Sequence, residues 1–366
     1  EAACLEAVGV SGGDYAAYEA LDALYTGHFS PGEAAQKWGL VAAAHPDQVW
    51  PRYFLSLACS RALRHAEALQ EARAALALSP DNQLMQAHVL VMVQKLATEH
   101  FSRRRFAEAL PLWREVGGVP GKLGEAKTLS ALGDVAGAEA AHLAAVGLAG
   151  DDYTACAALD GLHRAHLSDG EAAQKWRALA AAHPEHAWPR YFLSLACSRA
   201  LQHAEALQEA RAALSLRPDN ELLQTHVLVM VRKLADDHLS QGRFAECLSL
   251  WRELGGVPGK LGEARALSAM GDVAGAEAAY LSVLLTTEPE AGLFDAYEGL
   301  AALYTAQCAP GERPGRWAEV ARRVPDQPWA PIYRGCALDA LSRGDEAQEA
   351  YLQAATALLG AGMQDR

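Results

Sequence analysis

Fourteen residues, WPRYFLSLACSRAL, occupy positions 50–63 and return unchanged at positions 188–201. The identity extends outward from this stretch, because residues 37–96 align without gaps on residues 175–234 with 47 identities in 60 positions. A third, more diverged copy follows, and two tryptophan positions mark the correspondence: Trp38, Trp176 and Trp317, then Trp50, Trp188 and Trp329. The period is therefore 138 residues and then 141, and we place the extra residues near LLTTEPEAG at positions 284–292.

A period of 138 residues is too long for one structural repeat and fits four units of about 34 or 35 residues. A finer pattern supports this division, with successive spacings of 3, 4, 9, 4 and 8: Tyr18, Leu21, Tyr25, Ala34, Trp38 and Pro46. The third copy repeats these spacings from Tyr297 to Pro325, with Arg313 in place of the alanine. Spacings of 3 and 4 place side chains on one helical face, so each unit is predicted to contain two helices joined by a turn such as SPGE.

The segment after the quoted stretch, HAEALQEARAALALSPDN at positions 65–82, predicts an alanine-lined second helix. Small side chains there let neighbouring helices approach closely. SPDN is predicted to end this helix and to cap the next one, because Asp81 and Asn82 can accept hydrogen bonds from the free N–H groups of a helix N terminus.

These features resemble the tetratricopeptide repeat (TPR), a helix pair with aromatic, large apolar and small positions on its first helix and alanines on its second. GRFAECLSLW from Gly242 and GDVAGAEAAYLSVL from Gly271 are similar to second helices of that family. The resemblance covers nearly the whole chain, as about ten helix pairs. The pair from Asn82 to Pro120 is several residues too long, so its first helix is predicted to be extended.

The resemblance implies an all-α fold, a right-handed superhelical α-solenoid in which each pair packs on its neighbours. We expect residues 1–366 to form a single TPR-like solenoid in three super-repeats, 1–138, 139–276 and an incomplete 277–366. EAACLEAVG at the start matches EAAHLAAVG from Glu139, which lies inside a predicted helix. The chain is therefore expected to begin in mid-helix, as a piece of a longer array.

Composition argues against several classes of protein. A formal net charge of −13 disfavours binding to nucleic acid and to anionic membranes. No apolar run approaches the roughly eighteen residues that a membrane-spanning helix needs. The seven cysteines form no C-x-x-C pair, so they are predicted to be buried thiols, which favours a reducing, cytoplasmic location.

No catalytic, cofactor or metal-binding motif is recognised, and we predict no enzymatic activity, no cofactor and no metal site. Several histidines recur between the copies, but they are scattered over different helices and are assigned structural or surface roles: His45, His88, His100, His183, His226 and His238. The GGVPGK segments ending at Lys122 and Lys260 are predicted to be helix-connecting loops, because a phosphate-binding loop needs a preceding strand and a following Ser or Thr.

The candidate ligand-binding residues lie on the helix that begins at Trp50. Its packing stripe is predicted to be Phe54, Leu55, Ala58 and Ala62, which leaves the opposite stripe for the concave surface. The candidates in the two copies are Trp50, Tyr53 and Arg61, then Trp188, Tyr191 and Arg199. Trp and Tyr offer rigid contact area and Arg can bind a carboxylate. Alternatively, the two tryptophans fill gaps between adjacent repeats.

The function predicted from these features is a scaffold that binds a protein or an extended peptide on its concave surface. Two near-identical copies offer one binding chemistry twice, so a repetitive partner would gain avidity. An alternative is the recognition arm of a larger glycosyltransferase- or sulfotransferase-like enzyme whose catalytic domain lies outside this chain. An RNA-processing scaffold would need a basic surface that the composition does not supply. Uncapped terminal helices can also pair between chains to form an oligomer.

Overall fold

The computed structural model describes residue 6 and residues 14–286, 292–325 and 327–360. In these residues it contains twenty helices and no strand. The chain divides into two compact units, Glu1–Lys175 and Trp176–Arg366. The boundary falls inside a helix, α10 (Asp169–Ala182).

Nine helices precede α10 in the first unit. They are α1 (Tyr15–His28), α2 (Pro31–Ala44), α3 (Val49–Arg61), α4 (His65–Leu78), α5 (Gln83–Ser102), α6 (Phe106–Val116), α7 (Gly118–Ala131), α8 (Val135–Ala149) and α9 (Tyr153–His166). Ten helices follow α10 in the second unit. They are α11 (Ala187–Arg199), α12 (His203–Leu216), α13 (Glu221–Ser240), α14 (Phe244–Leu254), α15 (Gly256–Ala269), α16 (Val273–Leu284), α17 (Leu293–Gln307), α18 (Arg313–Arg323), α19 (Trp329–Asp339) and α20 (Gly344–Gly360).

The helices form ten pairs among the described residues, and successive first helices begin 34 to 37 residues apart. This spacing confirms the prediction of an all-α fold of tandem TPR-like pairs. The predicted extension is also present, since α5 and its counterpart α13 each have 20 residues. The right-handed superhelix and the three super-repeats stay predictions. The expected mid-helix start and the insertion near LLTTEPEAG concern residues that lie mainly outside the described part.

Side-chain caps are present at the starts of α2 and α5. Ser30 forms a capping box with Glu33 at the start of α2, where Pro31 supplies a preset φ angle. Asn82 accepts hydrogen bonds from the backbone N–H groups of Leu84 and Met85 at the start of α5. The SPDN turn therefore caps the next helix, as predicted.

A stack of aromatic rings holds the first helix pair to the next. Trp38 of α2 is fully buried, and its ring stacks on Phe54 of α3 at a centroid distance of 5.1 Å. The equivalent stacks in the other copies are Trp176 on Phe192 and Trp317 on Tyr333. On the predicted packing stripe of α3, Phe54 and Ala58 are buried, whereas Leu55 and Ala62 are half-buried.

The prediction that GGVPGK forms a connecting loop is wrong. Gly117, at φ +64°, ends α6, and α7 begins at the next residue, so Lys122 lies inside a helix. Two consecutive glycines with positive φ make the whole connection. Pro120 lies in the first turn of α7, where a missing N–H costs no helical hydrogen bond. The second unit repeats this arrangement, with Lys260 inside α15.

Lys122 helps to hold a buried carboxylate. Its Nζ donates to Glu125 Oε2 at 2.8 Å, and Arg114 Nε of α6 donates to Glu125 Oε1 at 2.7 Å. Burial, the largest single influence, raises the pKa of Glu125, but the hydrogen bonds and charges of Lys122 and Arg114 together outweigh it and lower that pKa. The second unit repeats this arrangement around Glu263.

Each helix from α1 to α8 contacts the next one in the chain, and so does each helix from α11 to α19. Some helices two places apart also contact each other, less extensively, and these are first helices of successive pairs: α1 with α3, α7 with α9, α15 with α17, and α17 with α19. At these four junctions the first helices of successive pairs therefore lie side by side. A groove between two of them is bordered by two neighbouring repeats.

Candidate functional site

The predicted aromatic residues of the first copy lie at a junction between helix pairs. The ring of Trp50 is half-buried and contacts Tyr15 of α1 edge-on at a centroid distance of 4.8 Å. Tyr53 is also half-buried and packs against His88 of α5 at 4.6 Å. Both side chains thus contact neighbouring helices and keep part of their surface exposed.

The equivalent side chains of the second copy are more enclosed. Trp188 is 5% exposed and Tyr191 is 7% exposed. The guanidinium of Arg217 lies over the indole of Trp188, 5.5 Å from the ring centroid. The first copy has Ser79 at the position of Arg217, so this cover is specific to the second copy. Ligand contact by these aromatic residues stays a prediction.

Arg61 binds a carboxylate of its own chain. Its Nη2 donates to Asp22 Oδ1 of α1 at 2.7 Å, and its Nη1 donates to Thr26 Oγ1 at 2.8 Å. Trp38 Nε1 donates to the same Asp22 oxygen at 3.0 Å. Asp22 therefore ties α1 to both α2 and α3, and the charge of Arg61 is balanced there. Arg199, its counterpart, is half-buried.

A groove opens where the C-terminal end of α3 meets the exposed face of α5, and we call it the α3–α5 groove. Its volume is about 700 Å³, and it is lined by Ser60, Leu63, His65, Val91, Gln94, Lys95, Thr98, Glu99, Ser102 and Arg103. Six of these residues belong to α5 and one, Ser60, belongs to α3, while the other three lie at or beside helix ends. Of the predicted candidates, only Arg61 adjoins this lining in sequence, and none of the six belongs to it.

Leu63 lies at the end of the groove and is one of four non-glycine residues with a positive φ in the described part of the chain, together with Arg104, Leu201 and Ser342. It is 73% exposed and adopts φ +59°, in the left-handed region that disfavours a side chain. Equivalent helix ends at Gly133 and Gly271 use glycine, and all three are closed by the same pair of backbone hydrogen bonds. Leu201 repeats the feature in the second unit, at φ +60° and 77% exposure. An exposed leucine thus replaces the expected glycine in both copies.

The polar part of the groove is cationic. Lys95 Nζ donates to the neutral Ser60 Oγ at 2.7 Å, and no ion pair holds Lys95 in the described part of the chain. Arg103, by contrast, pairs with Glu99 at 2.6 Å. Lys233 and Ser198 repeat the lysine–serine contact in the second unit, at 2.8 Å.

A buried hydrogen-bond network lies beneath the groove. Ser56 Oγ donates to the backbone oxygen of Ala68 at 2.7 Å, so it accepts from His88 Nε2 at 2.9 Å. His88 therefore carries its proton on Nε2 and links α5 to the α3–α4 pair. Ser194 and His226 form the same network in the second unit, at 2.8 Å.

His88 and His226 are neutral at physiological pH. Burial, and secondarily the charge of Lys95, lowers the pKa of His88 to about 4, and burial with Lys233 does the same for His226. Between the ordinary value of 6.5 and about 4, the unfolded chain binds a proton at each histidine and the folded chain does not. The free energy of unfolding therefore has its full value above pH 6.5 and falls as the pH drops from 6.5 to about 4.

The chain is similar to several solved structures at low sequence identity. No protein-family model and no curated protein matches the chain. Similar solved structures include YrrB, a TPR protein with an unusual peptide-binding site, which is 17% identical over 53% of this chain and 98% of its own, with a TM-score of 0.31. Yeast Tom70 is 14% identical over 99% of this chain and 91% of its own, with a TM-score of 0.31. The P58(IPK) TPR domain is 14% identical over 95% and 99%, with a TM-score of 0.28.

Two further observations concern the apolar character of the helices and the state of the cysteines. None of the described helices combines the length and the apolar character needed to cross a bilayer. The described cysteines are free thiols, of which five are buried and one, Cys336, is exposed.

Proposed function

We propose that the chain is a non-enzymatic scaffold that binds an extended segment of a partner protein in the α3–α5 groove and at the equivalent position of the second unit. The observation that carries this proposal is the exposed Leu63 in a left-handed conformation, repeated at Leu201. A leucine there exposes apolar surface and strains the backbone, so it gives the isolated fold no evident benefit. Contact with a partner would bury the apolar surface of that side chain.

The groove favours a segment in which an apolar side chain lies near a carboxylate. Leu63 and Val91 supply apolar surface, and Val91 is itself 46% exposed. The ammonium of Lys95 is placed to bind a carboxylate, because its partner in the fold is a neutral hydroxyl. The same chemistry at Leu201, Val229 and Lys233 would give a partner with two such segments greater avidity.

A peptide-binding experiment tests this proposal. Short extended peptides with all combinations of apolar and acidic residues are arrayed and probed with the wild-type chain and a Leu63→Gly/Leu201→Gly variant. We expect the variant to lose more than about tenfold in affinity, as for a central interface residue. Its thermal stability should be unchanged or higher, because glycine relieves about 1 kcal/mol of left-handed strain at each position.

A matched control distinguishes binding in the groove from nonspecific apolar binding at any exposed leucine. Leu40 is 74% exposed on the second helix α2, outside the groove, so Leu40→Ala should leave peptide binding unchanged. A Lys95→Ala/Lys233→Ala variant should lose the preference for acidic peptides and its dependence on salt. The proposal is wrong if the double glycine variant binds every selected peptide as tightly as the wild type does.

A further inference from the structure

We propose that His183, Glu185 and His186 bind a divalent transition metal ion such as Zn²⁺. These residues follow α10 and precede α11, and all three belong to the second unit. In the described part of the chain, they form a group of His, Cys, Asp or Glu residues whose ligand atoms all lie within 4.8 Å of one another. Two imidazoles and a carboxylate are a ligand set that zinc takes in proteins, with a further position open.

The distances are close to those of a metal centre. Glu185 Oε1 lies 3.3 Å from His186 Nε2 and 3.9 Å from His183 Nδ1. In a tetrahedral zinc site, ligand atoms about 2.1 Å from the metal are about 3.4 Å from each other. The two imidazole rings are parallel within 1°, with centroids 5.0 Å apart. The nitrogen lone pairs of parallel rings do not converge on one point, so binding requires the partly exposed His183 ring to turn toward the ion together with the exposed Glu185 side chain.

A backbone turn holds the two histidines close together, and the glutamate side chain between them can adjust. His186 N donates to the His183 carbonyl oxygen at 3.1 Å, which closes the turn, and Pro184 lies within it. Nδ1 of His186 is buried, so Nε2, the nitrogen that faces Glu185, is the one available to a metal. The Glu185 side chain is 64% exposed and is free to rotate toward the two imidazoles.

The first copy of the repeat provides an internal control. HPDQ at positions 45–48 replaces HPEH at positions 183–186, so His45 has no imidazole partner at position 48. Gln48 accepts a hydrogen bond from the hydroxyl of Tyr18 instead. The prediction that the chain has no metal site rests on the histidines that recur in both copies. His186 occurs in one copy alone.

Titration of the full chain, produced without a histidine tag, tests the proposal. ZnCl₂ is added in a calorimeter, and CoCl₂ is used as a second probe because its visible absorption distinguishes imidazole and carboxylate ligands from thiolates. We expect one strong site with nitrogen and oxygen ligands. His186→Gln should weaken binding more than about tenfold, at least as much as losing an outer-shell partner does. Because Gln occupies the same position in the first copy, this variant is expected to fold normally.

A gain-of-function variant completes the experiment. Gln48→His reproduces the His-x-x-His spacing in the first copy and should add a second, weaker site, because Asp47 is shorter than Glu185. Equal zinc affinities of the wild type and His186→Gln would overturn the proposal. Thiolate absorption with Co²⁺, or binding absent up to millimolar metal while circular dichroism shows an intact fold, would overturn it as well.

Discussion

Replacing Gly124 with alanine tests how closely successive helix pairs pack. Gly124 lies in the middle of α7, against the indole of Trp113 on α6. A Cβ atom at this position would lie 2.2 Å from Trp113 Cδ2 and 2.3 Å from Cε3. Carbon atoms in contact are normally about 3.5–4.0 Å apart. The ring would therefore have to move by more than about 1 Å.

The expected loss of stability follows from two opposing effects. The overlapping atoms belong to the rigid indole of a side chain that is only 9% exposed, so no flexible end can yield. Overpacking of this kind costs about 1–3 kcal/mol or more. Alanine recovers at most about 1 kcal/mol through its higher helix propensity. We expect Gly124→Ala to lose about 2 kcal/mol of unfolding free energy.

The assay is guanidinium unfolding followed by far-ultraviolet circular dichroism. Gly161 of α9 is the control, because no atom lies within 4 Å of a Cβ placed there, and Gly161→Ala should gain about 0.5–1 kcal/mol. Trp113→Leu should relieve the clash, so its combination with Gly124→Ala should lose less than the two single changes together. If Gly124→Ala stabilises the protein as much as Gly161→Ala does, the packing described for α6 and α7 is wrong.

Two further predictions concern pH. The free energy of unfolding should fall between pH 6.5 and about 4, by on the order of 3 kcal/mol for each of His88 and His226. In urea unfolding measured at several pH values, the His88→Gln/His226→Gln variant should show a smaller decrease of the unfolding free energy with falling pH. A decrease equal to that of the wild type would contradict the lowered pKa values of the two histidines. Glu125→Gln should cost about 2 kcal/mol at pH 7, because the cations of Lys122 and Arg114 lose their carboxylate. That cost should shrink only below pH 4.5, as Glu125 itself is protonated in the wild type, and calorimetric melting temperatures at pH 7 and 3.5 would show it.

The helix pairs could be predicted from the sequence because their signals are local. The spacing of Tyr18, Leu21 and Tyr25 gives one helical face, and all three side chains are buried. Repetition strengthens such signals, since one weak pattern occurs in phase along the chain. The prediction for the GGVPGK segment was wrong because its composition does not show where the turn ends and the next helix begins. Its glycines and proline indicate a loop when counted, whereas two glycines alone make the turn and the remainder enters α7.

The site depends on contacts that local patterns do not reveal. Arg61 was considered a ligand-binding residue, but its partner is Asp22, 39 positions earlier. The same fourteen residues place Trp50 and Trp188 in different environments, because Arg217 covers only the second. Leu63 is not among the candidate residues predicted from the sequence. Its left-handed backbone is evident only from coordinates, although comparison with Gly133 at an equivalent helix end offers a signal in the sequence.

The contacts between helices that are consecutive in the chain, from α1 to α9 and from α11 to α20, have a consequence for biosynthesis. A nascent chain leaves the ribosome from its N terminus, and here each newly completed pair finds its packing partner already outside the exit tunnel. Such a chain can become ordered in the direction of translation, one pair for about every 34 residues added. Contacts between residues close in sequence also favour rapid folding. If translation pauses between two helix pairs, the folded N-terminal pairs expose the apolar face that the next pair would bury, and chaperones can bind to that face.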